Sequence, residues 1–207
     1  LVNACAGQCS TLRWWRDDMD LKGQVATVSN RKLSRATNEL LIRLKELPAS
    51  RGSIWHKAQL RALIKALGAS AETLACPQLL RFAWHADRDI AREAARAIGA
   101  LLADVTALDL AYLDLCMRTA SPCHVDSINA LNIQQMGMAY DGCEPVVGLA
   151  SFHHDGYVRE AATRALAESS SGAEIPFLLI RANDWIQPVR HLAAQALMAR
   201  TDAKYAP

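Results

Sequence analysis

The residues of this chain with the most suggestive chemistry are two histidines, each placed two residues before an aspartate. His85 precedes Asp87, and His153 precedes Asp155. Imidazole and carboxylate groups are common metal ligands, so the two pairs could hold a metal ion together. The competing interpretation is that these side chains hydrogen-bond to the start of the following helix, because polar residues in turns routinely cap helices. We favour the capping interpretation.

Six cysteines offer a second possible metal site. No two of them have the Cys-x2-Cys spacing that is typical of zinc sites. Free cysteine packs like a small apolar residue, so we interpret these cysteines as thiols in a core rather than as ligands. A chain of this length can bury a core without disulfides, and we therefore expect a reducing, cytoplasmic location. The metal-site alternative would bring together Cys116, Cys123, His124 and Cys143.

Other functional signatures are missing from the sequence. Its serine, histidine and aspartate residues form no nucleophile elbow, and it has no glycine-rich loop that would bind phosphate. The chain also has no run of 18 apolar residues, which a membrane-spanning helix would need. We therefore expect a protein with no cofactor, no bound metal and no membrane span, and a non-catalytic role is favoured over an enzymatic one.

The elements that would position these residues repeat along the chain. A segment from Pro145 to Leu166 has the same pattern as one from Pro176 to Leu197, at an offset of 31 residues. Each copy begins with a proline in an apolar run, followed by a polar break. After the break come Val-Arg, an alanine three residues after that arginine, and a closing Ala-Leu. Such a fixed offset predicts repeated helical hairpins. We call the helix before each break the first helix and the helix after it the second helix.

Three further hairpins are predicted ahead of these two. In the second of the five hairpins, Pro77 opens the first helix and Asp89 caps a second helix from Ile90 to Leu102. The hairpin after it is the least regular, because Asn129 and Asn132 fall on the face that should be buried. The remaining predicted helices are Ser34–Leu47, a helix capped by Ser53 and ending at Leu67, Leu108–Met117 and Val125–Met136.

The second helices close with Leu67, Ile98, Ile133, Leu166 and Leu197, at intervals of 31 to 35 residues. This pattern resembles HEAT-like repeats, specifically the short class first noted in phycobilisome lyases. The resemblance covers residues 31–207 in about five units and leaves residues 1–30 as an N-terminal extension or cap. It implies an all-α fold, a right-handed α-solenoid of about five HEAT-like helical hairpins, with the second helices on the concave side.

The resemblance also implies a function. Most HEAT-like repeat proteins bind other proteins, which favours a non-catalytic interaction scaffold with its partner on the concave surface. Deoxyhypusine hydroxylases of this family bind iron through His-Glu dipeptides, and no histidine here precedes a glutamate. HEAT-like DNA glycosylases use Trp and Asp on a basic concave surface, but Trp84 and Asp87 are predicted to lie away from it. A nucleic-acid-binding protein of the glycosylase type is the alternative.

Charge is distributed unevenly along the chain. Residues 1–66 contain 12 Lys+Arg and 5 Asp+Glu, and the remainder contains 11 and 16, so the two balances are +7 and −5. Basic residues also recur at the outward positions of the second helices, where only Asp126 and Glu160 oppose them. We predict that they bind an acidic protein segment or, as the second choice, a nucleic-acid backbone. The competing interpretation is that their stems cover alanine-rich helices. The predicted partner-binding residues are Arg61, Lys65, Arg92, Arg96, Arg164 and His191.

Two arginines at the same outward register, Arg159 and Arg190, receive a structural prediction. Each follows the buried valine that starts a second helix, and we expect each to reach a turn carboxylate or carbonyl, at Asp155 or Asp184. The core-facing stripe of the last two second helices follows from helical spacing. It comprises Val158, Ala161, Ala162, Ala165 and Leu166, and their equivalents Val189, Leu192, Ala193, Ala196 and Leu197.

Overall fold

A computed structural model describes residues 32–47, 54–119, 128–137 and 143–200. The chain divides into two units, 1–32 and 33–207, and Lys32 is the one described residue of the first unit. The predicted N-terminal extension, 1–30, lies outside the described residues. So do Ser53, Cys123, His124 and Asp126, to which the sequence analysis assigned roles.

Every regular element in the described segments is helical, so the prediction of an all-α chain is confirmed for this part of it. A single 3-10 turn, Thr73–Ala75, precedes the third helix. The α-helices are α1 (Arg35–Glu46), α2 (Ile54–Gly68), α3 (Cys76–Leu80), α4 (Arg88–Leu102), α5 (Ala107–Thr119), α6 (Ala130–Gly137), α7 (Glu144–Ala150), α8 (Gly156–Glu168), α9 (Ile175–Arg181) and α10 (Gln187–Met198).

The starts of these helices follow from local chemistry. Ser34, the first residue of the predicted helix, is the N-cap of α1, because its Oγ accepts a hydrogen bond of 3.2 Å from the Thr37 backbone N–H. A proline lies in the first turn of α3, α7, α9 and α10, where its missing N–H would have had no partner in the helix. The sequence therefore sets where most of the hairpins begin.

Two predicted helix starts are wrong. The N-cap of α4 is Asp87 rather than Asp89, since Asp87 has extended backbone angles and its Oδ1 accepts from the Asp89 N–H at 3.0 Å. Helix α6 begins at Ala130, not at Val125. Asn129 and Asn132 bond each other's backbone N–H groups at 3.1 and 2.9 Å, a reciprocal cap that removes the expected buried amides from the core.

Neighbouring second helices form much of the packing. Helix α2 packs against α4, and α8 packs against both α6 and α10. Where backbones approach closely the residues are small: a Cβ added at Gly68 would lie 2.7 Å from the Ala97 Cβ, and one added at Gly148 would lie 2.5 Å from the Phe177 ring. Any larger side chain at these two glycines would push neighbouring helices apart.

The irregular middle hairpin is not a simple pair. Helix α5 packs against the 3-10 turn and against α9, whereas α6 packs against α7 and α8. The two helices that the sequence predicts as one hairpin thus have different principal neighbours. Helices α3 and α4 both contact α7.

Arg200, just after the last helix, ties it to the start of α9 and to the end of α8. Arg200 Nε donates to Glu174 Oε1 at 2.7 Å, and both side chains are buried. The Arg200 guanidinium also donates to the carbonyl oxygens of Leu166, Ala167 and Ser169 at the end of α8. Burial tends to raise the pKa of Glu174, but the Arg200 guanidinium and backbone N–H groups lower it overall.

The predicted core stripe is confirmed. Four of its members in α8, Val158, Ala161, Ala162 and Leu166, are buried, and Ala165 is half-buried. In α10, Val189, Ala193 and Ala196 are buried, whereas Leu192 and Leu197 are half-buried. The alanines let α8 pack closely against the helices on either side of it.

Ala162→Asp should lower the free energy of unfolding by roughly 3 kcal/mol or more, because Ala162 is fully buried and the new carboxylate would have no partner. Chemical denaturation followed by circular dichroism measures the loss. Ala58→Asp, at an exposed position of α2, is the control and should change stability little. A wild-type melting temperature for Ala162→Asp would contradict the assigned packing.

Candidate functional site

The His-Asp pairs of the hairpin breaks are helix caps. His85 Nδ1 accepts from the Asp87 backbone N–H at 3.0 Å, and His153 Nδ1 accepts from the Asp155 N–H at 3.0 Å. Asp155 in turn caps α8 through the Tyr157 N–H at 2.8 Å. The capping interpretation is therefore confirmed. Among the described residues no group of His, Cys, Asp or Glu side chains has the geometry of a metal site.

The third break of the same kind carries an aspartate in the histidine's place. Asp184 is 31 residues after His153, and its Oδ1 accepts from the Ile186 backbone N–H at 2.9 Å. This is the same turn hydrogen bond with a carboxylate oxygen in place of a ring nitrogen. The exchange introduces a negative charge at a side chain that is 0% exposed.

Three arginines surround that carboxylate. Arg159 Nε donates to Asp184 Oδ2 at 3.0 Å, and Arg181 Nη1 donates to the same oxygen at 2.8 Å. Arg118 Nη2 donates to it at 3.1 Å. A second carboxylate, Asp114, accepts from Arg181 and also from Arg118 Nε at 3.1 Å. We call these five side chains the arginine cluster.

The arginine cluster joins three helices and one turn. Asp114 and Arg118 lie on α5, Arg159 on α8, Arg181 at the end of α9, and Asp184 in the turn before α10. Its three cations and two anions leave a surplus of one positive charge. Buried charges of this kind require complete hydrogen bonding, because each has lost its hydration shell.

Backbone carbonyls and aromatic rings supply further contacts, and among the described residues the buried Nε of Arg181 has no hydrogen-bond partner. Arg159 Nη1 donates to the carbonyl oxygens of His153 at 2.9 Å and His154 at 2.8 Å. Its guanidinium carbon lies 5.8 Å from the centre of the Trp185 ring, and that of Arg181 lies 5.3 Å from the Phe152 ring. The positive charge is thus spread over carbonyl dipoles and ring faces as well as the two carboxylates.

The structural role predicted for Arg159 and Arg190 is confirmed. Arg190 Nη1 donates to the Asp184 carbonyl at 2.7 Å, as Arg159 Nη1 donates to the His153 carbonyl one unit earlier. The carboxylate that Arg159 reaches is Asp184 of the next unit rather than its own Asp155. The outward register assigned to Arg159 was wrong, because its side chain turns back into the core and is 1% exposed.

The cluster keeps Asp184 ionised. Burial by itself raises the pKa of this carboxyl group, but the Ile186 N–H and the Arg181 and Arg159 guanidinium groups lower it below its ordinary value. A depressed folded-state pKa means that the contribution to stability is present above the unfolded pKa, about 3.9 for aspartate, and is lost as the pH falls through the folded pKa.

Sequence reasoning missed Asp114, Arg118 and Arg181. The signal that could have found part of the cluster is a departure from the repeat. Arg181 stands 31 residues after Ala150, a buried position in the preceding unit, and Asp184 stands where that unit has His153. Two substitutions of opposite charge, three residues apart on a helix end, indicate a local ion pair.

Asp184→Asn should destabilise the protein by about 3–5 kcal/mol, because it leaves three largely buried guanidinium groups with a single carboxylate. Urea unfolding at neutral pH measures the effect. The matched control is Asp104→Asn, the same change at an exposed aspartate, which should cost little. If the two variants unfold at the same urea concentration, the cluster does not stabilise the fold.

The six predicted partner-binding residues all lie exposed on second helices. Arg61 and Lys65 lie on α2, Arg92 and Arg96 on α4, Arg164 on α8 and His191 on α10. We call these six the second-helix cations. The cations of α2 and α4 lie on one surface, because Glu93 of α4 pairs with Arg61 of α2 at 4.0 Å and with Arg96 at 3.6 Å.

More carboxylates oppose these cations than the sequence analysis counted. Glu93 was not counted, and its carboxylate reaches the surface edge and contacts two arginines. Asp89 pairs with Arg92 at 3.7 Å, and Glu160 pairs with Arg164 at 2.8 Å. Within the described segments, five arginine and lysine side chains thus face three carboxylates. Such exposed pairs are weak and exchange readily with other partners.

The tryptophan and aspartate considered for base recognition are engaged elsewhere. Trp84 Nε1 donates to the Asn132 carbonyl at 3.1 Å and so ties the end of the α3 segment to α6. Asp87 caps α4 and pairs with Lys57 at 2.6 Å. Both side chains therefore hold neighbouring units together.

Comparison with family models, with curated proteins and with solved structures finds no match to this chain. Within the described segments, each helix is too short or too polar to cross a lipid bilayer.

Proposed function

We propose that this chain is a right-handed α-solenoid of about five HEAT-like hairpins that acts as a non-catalytic protein-interaction scaffold. The turns support the repeat. Three breaks contain the same hydrogen bond from a side chain to the backbone N–H two residues later, at His85, His153 and Asp184. Two units also share the bond from a second-helix arginine to a turn carbonyl.

The proposed binding surface is the concave side, formed by the second helices. The observation that carries this proposal is the exposed surplus of positive charge among the second-helix residues that the structure describes, five arginine and lysine side chains against three carboxylates. Lys65 makes no ion pair among the described residues. A positive surface attracts an anionic partner over a distance of about 10 Å at moderate salt, and the loose surface pairs can open to new carboxylates.

The proposed partner is an acidic protein segment. A nucleic-acid backbone is the second candidate, because the same cations could contact phosphates. Trp84 and Asp87, which a glycosylase-type site would use, serve structural contacts, and this favours the protein partner. We also propose a cytoplasmic location. Cys76 and Cys116 are free thiols, and burial raises the pKa of the Cys76 thiol to about 12, which keeps it unreactive.

Charge reversal tests the surface. Replacing Arg92, Arg96 and Arg164 together with glutamate should weaken binding of a fluorescein-labelled polyglutamate peptide at least about tenfold, because like charges now oppose it. Fluorescence anisotropy at low and high salt measures the affinity, and wild-type binding should weaken as salt rises.

The matched control reverses three exposed cations of α1, a first helix: Arg35→Glu, Arg43→Glu and Lys45→Glu. This variant has the same change in net charge and should keep most of the affinity. Binding that ignores salt and the reversal would contradict the proposal. Tighter binding of duplex DNA than of the peptide, lost in the same triple variant, would favour the nucleic-acid candidate.

A further inference from the structure

Helix α6 interrupts the second-helix cations with an apolar residue. The helix carries no charged side chain, and its buried face consists of Ile133 and Met136, with Ile128 just before its start. On the opposite face Leu131 is 67% exposed. The neighbouring exposed residues, Gln134 and Gln135, are uncharged.

The place of Leu131 in the repeat is occupied by cations in three of the other four units. Leu131 comes two residues before Ile133, the closing residue of its second helix. Two residues before the closing residues of α2, α4 and α8 stand Lys65, Arg96 and Arg164. All four side chains are exposed. In α10 the equivalent residue is Gln195, so the order along the repeat is cation, cation, leucine, cation, glutamine.

Contacts of α6 place it beside the helix of one of these arginines. Helix α6 packs against α8, the helix of Arg164. The hydrogen bond from Trp84 to the Asn132 carbonyl also joins α6 to the segment that leads into α4, the helix of Arg96. An amphipathic acidic segment would complement such a surface, in which an exposed leucine and cations occupy equivalent positions of successive second helices.

We infer that the partner is an acidic segment with one apolar anchor side chain that packs on Leu131 while its carboxylates pair with Arg96 and Arg164. The inference rests on the proposed function and narrows the class of partner. Electrostatic attraction on its own selects any anion, whereas burial of an anchor on Leu131 adds affinity for one class of segment. A nucleic-acid backbone has no such anchor.

Two peptides separate the two contributions. One is a fluorescein-labelled peptide of glutamate and serine, and the other has the same sequence with leucine at its centre. We expect wild-type protein to bind the leucine peptide about tenfold more tightly in fluorescence anisotropy, which corresponds to about 1.4 kcal/mol, within the range for partial burial of one apolar side chain.

Leu131→Ser should abolish this preference and leave the affinity for the leucine-free peptide unchanged. Leu131→Met should retain it, because methionine restores an apolar contact of similar volume. Leu179→Ser, at an exposed leucine of the first helix α9, is the control and should keep the preference. Each variant is checked for an unchanged melting temperature, which is expected at exposed positions.

The outcomes distinguish this inference from the proposed function. Equal affinity of the wild-type protein for the two peptides, or a preference that survives in Leu131→Ser, overturns the anchor and leaves the acidic-partner surface standing. Failure of the wild-type protein to bind either peptide at low salt overturns the acidic-partner proposal, and the anchor falls with it.

Discussion

The structure depends most on the buried carboxylate of Asp184. One of its oxygens accepts from three arginines at 2.8 to 3.1 Å. The other accepts from the backbone N–H of Ile186, the residue just before α10. An ionised group with no exposed surface is costly unless all its partners are in place. The five charged side chains tie α5, α8, α9 and the start of α10 together.

This constraint explains the irregular middle hairpin. Helix α5 does not pair mainly with α6, its expected partner, but lies against α9. Asp114 and Arg118 of α5 provide the contacts that Arg181 and Asp184 require. A repeat unit whose first helix is held by charge in this way leaves its second helix, α6, to pack on α7 and α8. Leu131, the exposed apolar residue of the proposed surface, belongs to the unit that departs most from the repeat.

Much of the fold could be predicted from the sequence because it arises from local and periodic causes. Helical spacing of apolar residues predicted the buried stripe of Val158 and Ala162 and the place of α1, and Pro77 predicted where α3 starts. The exact N-cap residue was harder to predict. Both Asp87 and Asp89 can cap a helix, and which of them does so depends on the backbone angles. The start of α6 was missed because Asn129 and Asn132 satisfy each other, which spacing by itself does not reveal.

The candidate site was less predictable, since it involves residues far apart in the sequence. Arg118 and Asp184 are separated by 66 positions and Arg159 and Asp184 by 25, so no local pattern links them. Helical register placed Arg159 outward, but a long side chain can fold back to a buried carboxylate. The same limitation hid Glu93, whose backbone faces inward while its carboxylate reaches Arg61 and Arg96 at the surface edge.

The most direct test of this account is amide hydrogen exchange of α5 in the wild-type protein and in Asp184→Asn. If the buried carboxylate holds α5 in place, exchange across Ala107–Thr119 should accelerate at least about tenfold in the variant, and by more than in α2, which lies outside the cluster. Wild-type protection of α5 in the variant, or an acceleration no greater than that of α2, would contradict the account.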